Sequence, residues 1–169
     1  MKPVLLLALL LAPVAAGAAD CAPAVLHLVR HAEKAEVPGD KDPALSPAGE
    51  RRAQALAAWA EGRPIDAVYA THLRRTQLTA APLAAARDLD LRVLPAGDTA
   101  RLLARLRAAH CGGAVLIVGH SNTVPELAQA FGAASFEIGE TEYGRVYTLR
   151  PPAVELHRET FGEPNAPAP

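Results

Sequence analysis

The sequence predicts an α/β fold in which a mostly parallel central sheet lies between two layers of helices. Apolar, strand-like segments alternate with helix-like segments along the chain, and this order favours right-handed crossovers and a parallel sheet. Residues 24–29 and 114–118 are almost continuously apolar, as strands buried on both faces are. Half of the 169 residues are hydrophobic, which excludes a disordered chain, and the length fits one domain.

Six segments have the composition of strands. The fourth is the most apolar of them (AVLIV), and the last two are separated by Pro151-Pro152. Turn chemistry between two strand-like segments predicts that this last pair closes the sheet. The predicted strands cover residues 24–29, 65–70, 91–94, 114–118, 143–149 and 154–158.

Four segments have apolar residues at helical spacing and begin with residues that cap helices. Ser46 is the predicted N-cap of the first helix, with Pro47 at its first position. Asp98 or Thr99 caps the third, and Pro82 inside the second predicts a kink. The predicted helices start near residues 46, 73, 98 and 122 and end near residues 59, 86, 110 and 132.

Both ends of the chain are predicted to lie outside the folded domain, which would cover residues 20–162. Residues 1–19 combine a positive start, an apolar run and a site of small residues, the pattern of a secretory signal peptide. The run is too short to span a bilayer, which takes ~20 apolar residues. Residues 163–169 have the composition of a disordered tail. We therefore expect a periplasmic or secreted protein without stable membrane insertion after signal cleavage.

The two cysteines of the chain, Cys21 and Cys111, are predicted to form a disulfide bond. Cys21 lies ten residues before His31 and Cys111 nine before His120. If both histidines end adjacent parallel strands, both cysteines lie at the opposite ends, within the ~4.4–6.8 Å between Cα atoms that a disulfide needs. The bond would stabilise the fold by up to ~4–5 kcal/mol. The alternative is two free, buried thiols.

Histidines and arginines follow three of the predicted strands. Ligands of parallel sheets bind at the carboxyl ends of the strands, so these side chains are expected to converge at one edge. The net charge of −1 argues against a nucleic-acid partner, and no histidine spacing of the metal-binding type is present; neither a metal nor another cofactor is expected. The residues in question are Arg30-His31 after the first strand, Thr71-His72 and Arg74-Arg75 after the second, and Gly119-His120 after the fourth.

Such a group of side chains suits phosphate chemistry. Arginine presents a planar fork of donors that matches phosphate oxygens, and a neutral imidazole among arginines can attack phosphorus. A second histidine, if protonated, adds a charged donor. Of the remaining histidines, His72 is a candidate for the pocket wall, His27 is expected inside the sheet, and His110 and His157 are expected at the surface.

Four segments resemble the motifs of the histidine phosphatase superfamily, whose fold is the phosphoglycerate-mutase-like α/β sandwich. The resemblance covers roughly residues 25–147 and implies that His31 is the phosphorylated nucleophile, with Arg30, Arg75 and His120 completing the phosphate pocket. Arg75, not Arg74, occupies the family's arginine position. The segments are LVRHAE at 28–33, LSPAG at 45–49, YATHLRRTQLTA at 69–80 and VGHS at 118–121.

The sequence departs from the family pattern at three places. Ala32 stands where a glycine is usual, Ala70-Thr71 replaces a pair of serines, and Gln77-Leu78 appears in exchanged order. The family's proton donor is a carboxylic acid in many members, and two residues compete for this role: Asp98, which is also a good helix cap, and Glu33.

The function expected from the sequence is that of an exported, metal-independent phosphomonoesterase acting through a phosphohistidine intermediate. Its partner would be a small phosphorylated substrate or a phosphoprotein. Three alternatives stay open: a non-catalytic phosphate-binding module on the same fold, a phosphoprotein (phosphohistidine) phosphatase, and a metallohydrolase.

Overall fold

The computed structural model describes residues 21–164, which form six strands and four helices in the predicted order, with ends shifted by at most two residues. The strands are β1 (Val25–Arg30), β2 (Ala67–Thr71), β3 (Leu91–Leu94), β4 (Ala114–Gly119), β5 (Arg145–Arg150) and β6 (Ala153–Thr160). The helices are α1 (Pro47–Trp59), α2 (Arg74–Ala86), α3 (Thr99–Ala109) and α4 (Thr123–Ala130).

The strands form one mixed sheet in the order β3-β2-β4-β1-β5-β6. The strands β3, β2, β4 and β1 are parallel to one another, β5 pairs antiparallel with β1, and β6 pairs antiparallel with β5. Pairing between β1 and β4 extends from Val25 with Ala114 to Arg30 with Gly119. The residues that follow these two strands therefore emerge side by side at one edge of the sheet.

The sheet separates two hydrophobic cores, as the predicted three-layer architecture requires. Successive side chains of a strand point to opposite faces, and β4 shows this directly: Val115 and Ile117 belong to one core, Leu116 and Val118 to the other. The first core packs α3 and α4 against the sheet, and the second packs α1 and α2.

Short polar side chains fix where the helices begin. Ser46 caps α1 and Asp98 caps α3, each by accepting a hydrogen bond from the backbone N–H three residues on. Helix α2 begins differently, because Leu73 at its N-cap offers no side-chain acceptor. The carboxylate of Asp42, from the loop before α1, accepts from the backbone N–H of Arg74 instead, at 3.0 and 3.1 Å.

The histidines outside the predicted pocket are only partly as expected. His27 is buried in β1 and His157 is exposed on β6, as predicted. The expectation of a surface position for His110 is wrong. Its imidazole is buried, and its Nε2 lies 2.9 Å from the hydroxyl of Tyr69 and accepts from Arg92 at 2.7 Å. Burial lowers the pKa of His110, and the guanidinium of Arg92 lowers it further.

A disulfide bond joins Cys21 to Cys111, as predicted, with 5.2 Å between the Cα atoms. It connects the segment before β1 to the segment before β4. Beside it, the N–H of Gly112 donates to the carbonyl of Ala22 at 3.0 Å. Both chain segments are therefore fixed at the end of the sheet opposite to the histidines.

Removal of this bond is expected to destabilise the fold. The cysteines are 90 residues apart in sequence, so the double variant Cys21→Ser/Cys111→Ser should lose at least about 2 kcal/mol of unfolding free energy in denaturant titrations. Intact mass after alkylation in denaturant without reductant should show no modified cysteine in the wild type. Two alkylated cysteines would contradict the bond.

The predicted signal peptide, residues 1–19, lies outside the described residues, as do residues 165–169 of the predicted tail. The first tail residue, Glu163, contacts the domain: its carbonyl accepts from Arg52 at 2.9 Å. Within residues 21–164, no helix is long and apolar enough to cross a membrane.

Candidate active site

Two imidazoles meet at the carboxyl edge of the sheet. His31 follows β1 and His120 follows β4, both are buried, and their ring centroids are 5.3 Å apart. The N–H of His31 donates to the carbonyl of Gly119 at 2.9 Å. A Cβ atom on Gly119 would lie 2.8 Å from the hydroxyl oxygen of Thr123. Glycine therefore lets Thr123 approach and accept from the N–H of His120 at 2.9 Å.

The surroundings of His31 fix its tautomer. Its Nδ1 lies 2.8 Å from the carbonyl oxygen of Ala32, and because a carbonyl only accepts, Nδ1 carries the proton and Nε2 the lone pair. The N–H of Ala32 donates to Thr79 at 2.9 Å, and the Thr79 hydroxyl donates to the carbonyl of Arg75 at 2.7 Å. This chain of hydrogen bonds joins the loop after β1 to α2.

Both imidazoles are neutral near pH 7. Burial lowers the pKa of His31 to about 4, despite the hydrogen bond to Ala32, and the charges of Arg75 and Arg30 add to the effect. Burial likewise lowers the pKa of His120 to about 4, with Arg75 and Arg30 contributing. His31 is therefore a free base able to act as a nucleophile. His120 is neutral as well, so it does not carry the positive charge that the sequence analysis allowed for it.

Arg30 is held by backbone carbonyls and keeps one donor without a partner among the described residues. Its Nη1 donates to the carbonyls of Gly139 at 2.6 Å and Glu142 at 3.1 Å, and its guanidinium lies 4.3 Å from the ring centre of Tyr143. Its Nη2 is 3.6 Å from the exposed carboxylate of Glu140. Its Nε is buried and has no hydrogen-bond partner within residues 21–164. A donor is therefore left for a ligand.

Arg75 is arranged in the same way. Its Nη1 lies 3.6 Å from Asp42, and its Nε is buried without a partner in the described part of the chain. Arg74, its neighbour on α2, is exposed. Arg75, the arginine that the sequence predicts for the phosphate pocket, is thus the one whose charge lowers the pKa of both histidines.

Hydroxyl groups from β2 and α2 support His120. Its Nε2 is 3.1 Å from the hydroxyl of Thr71, which is 2.9 Å from the hydroxyl of Thr76. The single hydroxyl at Ala70-Thr71 is thus sufficient to contact the second imidazole. His72, a candidate for the pocket wall, is exposed, and its Nδ1 accepts from the N–H of Ala96 at 3.0 Å.

The two proton-donor candidates differ in their surroundings. Arg52 donates to both carboxylate oxygens of Glu33 at 2.6 to 2.9 Å. Burial raises the pKa of Glu33, but these hydrogen bonds outweigh it and the pKa is lowered. A carboxylate held ionised is a poor proton donor. Asp98 caps α3 and lines a cavity that it shares with Thr71. The pairing with Arg52 argues against Glu33, and Asp98 stays the candidate.

Three sets of contacts to the site residues were not predicted from the sequence. Asp42 contacts Arg75, and the carbonyls of residues 139 and 142 hold Arg30. The ring centre of Tyr143 lies 6.3 Å from that of His31 and 4.3 Å from the guanidinium of Arg30. All three come from loops without regular structure. The sequence signal closest to them is the acidic character of residues 137–142, which contain Glu137, Glu140 and Glu142.

The low pKa values of the two imidazoles can be measured by ¹⁵N NMR. Apparent pKa values near 4 are expected for the His31 and His120 pair, well below the ~6.5 of an unfolded chain. The unfolded state therefore binds protons first, and the free energy of unfolding should decrease as the pH falls from about 6.5 to about 4. Inorganic phosphate should raise both values, because an anion favours the charged form. Values at or above 6.5 without phosphate would contradict this.

The fold and the site define an α/β protein in which two neutral imidazoles lie near two arginines that keep donors unused within residues 21–164. Residues 26–96 match the model of the histidine phosphatase superfamily (branch 1). This match includes three of the four motif segments and confirms the resemblance to that superfamily. No curated protein compared with the chain matches it. Within residues 21–164, no three His, Cys, Asp or Glu side chains are grouped to hold a metal ion.

Solved structures share the fold. A putative phosphohistidine phosphatase SixA from Agrobacterium tumefaciens is 23% identical, with a TM-score of 0.59, over 84% of this chain and 99% of that one. A putative α-ribazole-5′-phosphate phosphatase from Escherichia coli is 17% identical, with a TM-score of 0.64, over 87% and 100%. A mycobacterial glucosyl-3-phosphoglycerate phosphatase with inorganic phosphate is 20% identical, with a TM-score of 0.62, over 84% and 97%.

Proposed function

We propose that this protein is an exported phosphomonoesterase that forms a phosphohistidine intermediate on His31. One observation carries the proposal: Arg30 and Arg75 each keep a buried Nε donor without a partner in the described residues, beside two neutral imidazoles. An unpaired buried donor costs free energy, and a phosphoryl group would supply the missing acceptors. The confirmed resemblance and the phosphatases that share the fold support the same reaction class.

The reaction follows from the tautomer of His31. The Nε2 lone pair attacks phosphorus, a P–N bond forms and the ester P–O bond breaks. The leaving oxygen takes a proton, for which Asp98 is the candidate donor. Water then attacks phosphorus and gives a proton back to the ionised donor, for which Asp98 is again the candidate. The P–N bond returns its electrons to Nε2, and inorganic phosphate leaves. Throughout, Nδ1 keeps its proton and donates it in the hydrogen bond to the carbonyl of Ala32, while Arg30 and Arg75 stabilise the charge on the phosphoryl oxygens.

The alternative of a phosphate-binding module is less well supported. Binding alone needs the arginine donors, whose guanidinium groups stay charged at any physiological pH. It does not need a buried imidazole whose Nδ1 is committed to a carbonyl and whose Nε2 is left with a lone pair. Within the enzyme class, a phosphohistidine-bearing protein and a small ester are both acceptable substrates, since either presents a phosphoryl group to the same donors.

Export is part of the proposal. It is supported by the signal-like residues 1–19 and by the bond between Cys21 and Cys111, because disulfides persist in oxidising compartments. A periplasmic or secreted location is therefore proposed. Cell fractionation followed by intact mass of the purified protein tests this: a protein that retains residues 1–19 in the cytoplasmic fraction would contradict it.

Hydrolysis of para-nitrophenyl phosphate by the purified protein, with and without a chelator, tests the reaction class. Turnover that survives the chelator supports the proposal. Turnover lost in the chelator and restored by a divalent metal would indicate a metallohydrolase, and phosphate binding without turnover would indicate a binding module. A panel of sugar phosphates, small esters and a phosphohistidine-bearing protein then ranks the substrates by kcat/KM.

A further inference from the structure

We propose that Asp42 is a positioning residue for Arg75: it holds the Nη1 side of the guanidinium so that the Nε side faces the phosphoryl group. This inference rests on the proposed function and extends it to a residue outside the family motifs. The carboxylate of Asp42 lies 3.6 Å from Arg75 Nη1 and also accepts from the backbone N–H of Arg74 at 3.0 and 3.1 Å. One side chain thus contacts both the arginine and the start of its helix.

Asp42 is itself fixed by the loop that carries it. The N–H of Asp42 donates to the carboxylate of Asp40 at 2.9 Å. Further along, Lys34 and Leu45 form an isolated antiparallel bridge. Leu45 is buried with Ala32, the residue after the nucleophile. The loop is therefore joined to the segment that carries His31. Because Asp42 belongs to this loop and contacts Arg75, it holds Arg75 in a fixed position relative to the nucleophile.

In both arginines, Nη1 faces an acceptor of the protein. Arg30 has its Nη1 bound by the carbonyls of residues 139 and 142, and Arg75 has its Nη1 beside Asp42. In both, Nε is the buried donor without a partner among residues 21–164. An arginine side chain loses much rotamer entropy when it is ordered. An acceptor on the side away from the ligand supplies that order before the ligand binds, which favours transition-state stabilisation.

A purely structural role for Asp42 as a cap of α2 makes a different prediction. A cap would stabilise the helix whether or not Arg75 is present. A positioning residue acts only through Arg75, so its removal should matter little once that guanidinium is gone. A double-mutant cycle separates the two roles, because it measures the coupling between the two side chains directly.

The experiment measures kcat/KM for para-nitrophenyl phosphate and the Kd of inorganic phosphate in Asp42→Ala, Arg75→Ala and the double variant. Asp42→Ala alone is expected to lower kcat/KM by about tenfold and to weaken phosphate binding. In the Arg75→Ala background, the same change should alter either quantity by less than about twofold. Glu36→Ala, which removes an exposed carboxylate of the same loop, is the matched control and should change kcat/KM by less than about twofold.

Equal losses with and without Arg75, or no loss in Asp42→Ala, would overturn the inference. If Asp42→Ala does not fold, Asp42→Asn keeps an acceptor for the Arg74 N–H; its expected loss of about threefold should again vanish in the Arg75→Ala background. The phosphate titrations require no turnover. A wild type that binds phosphate without hydrolysing the ester would therefore refute the proposed function, while the binding cycle would still decide the role of Asp42.

Discussion

Replacement of His31 by alanine is expected to abolish the hydrolysis of phosphate monoesters. The imidazole is buried, neutral and oriented by the carbonyl of Ala32, so that Nε2 is the free lone pair beside Arg30 and Arg75. No other group in this arrangement replaces it, because His120 Nε2 is engaged with the hydroxyl of Thr71. Steady-state assays with para-nitrophenyl phosphate measure the loss.

Trapping of the intermediate identifies the nucleophile independently of the rate. The wild type, quenched during turnover of a radiolabelled ester, should carry a phosphoryl group on nitrogen, which is labile in acid and stable in base. His31→Ala should carry none. His157→Ala, which removes an exposed histidine on β6, is the control and should retain both turnover and label. Phosphate binding by His31→Ala would show that the variant is folded. Normal turnover in His31→Ala would refute the mechanism.

The architecture could be predicted from the sequence because local patterns determine it. The apolar run before Arg30 is typical of a strand buried on both faces, and Ser46-Pro47 marks the start of α1 within one residue. The adjacency of β1 and β4 followed from the two histidines and the two cysteines, which lie at opposite ends of the same strand pair. These signals act within a segment or through strand register.

What the sequence could not show depends on contacts between distant segments. His110 ends α3, a helix whose sequence resembles a surface helix, and only the packing of that end against Tyr69 and Arg92 buries it. Glu33 is committed to Arg52, 19 residues away, and Arg30 is held by carbonyls 109 and 112 residues away. Backbone acceptors have no residue signature, so no motif could reveal them.

The protonation state of His120 is a further case. The sequence allowed a positively charged imidazole near a phosphate. The structure buries the ring beside two arginines, and that environment favours the neutral form. The charge would follow from the ligand, since a phosphate dianion offsets both arginines. Sequence analysis could place His120 beside His31 at the edge of the sheet, but its charge depends on a balance between burial and neighbouring charges that is set by the folded structure.

Substitution of Arg75, and not of Arg74, is expected to remove transition-state stabilisation. Arg75→Ala should cost ~2–4 kcal/mol in kcat/KM, a loss of about 30- to 1,000-fold, as for other donors to a transition-state oxyanion. The reason is the buried Nε of Arg75, which has no partner among residues 21–164. The charge of the same guanidinium lowers the pKa of both imidazoles, so it lies near them.

Arg74→Ala is the matched control, because it removes the same side chain one position earlier on α2. Adjacent helical side chains diverge by ~100°, and Arg74 is exposed. Among residues 21–164, the hydrogen bond of its guanidinium is to the carbonyl of Asp42, at 3.5 Å. Its backbone N–H, from which the Asp42 carboxylate accepts, is retained in the variant. Its loss should therefore change kcat/KM by less than about threefold.

Arg75→Lys keeps the charge but not the fork of donors, and its kcat/KM should fall between those of Arg75→Ala and the wild type. Equal losses at the two positions, or the greater loss at Arg74, would mean that the helix presents the other arginine to the phosphoryl group.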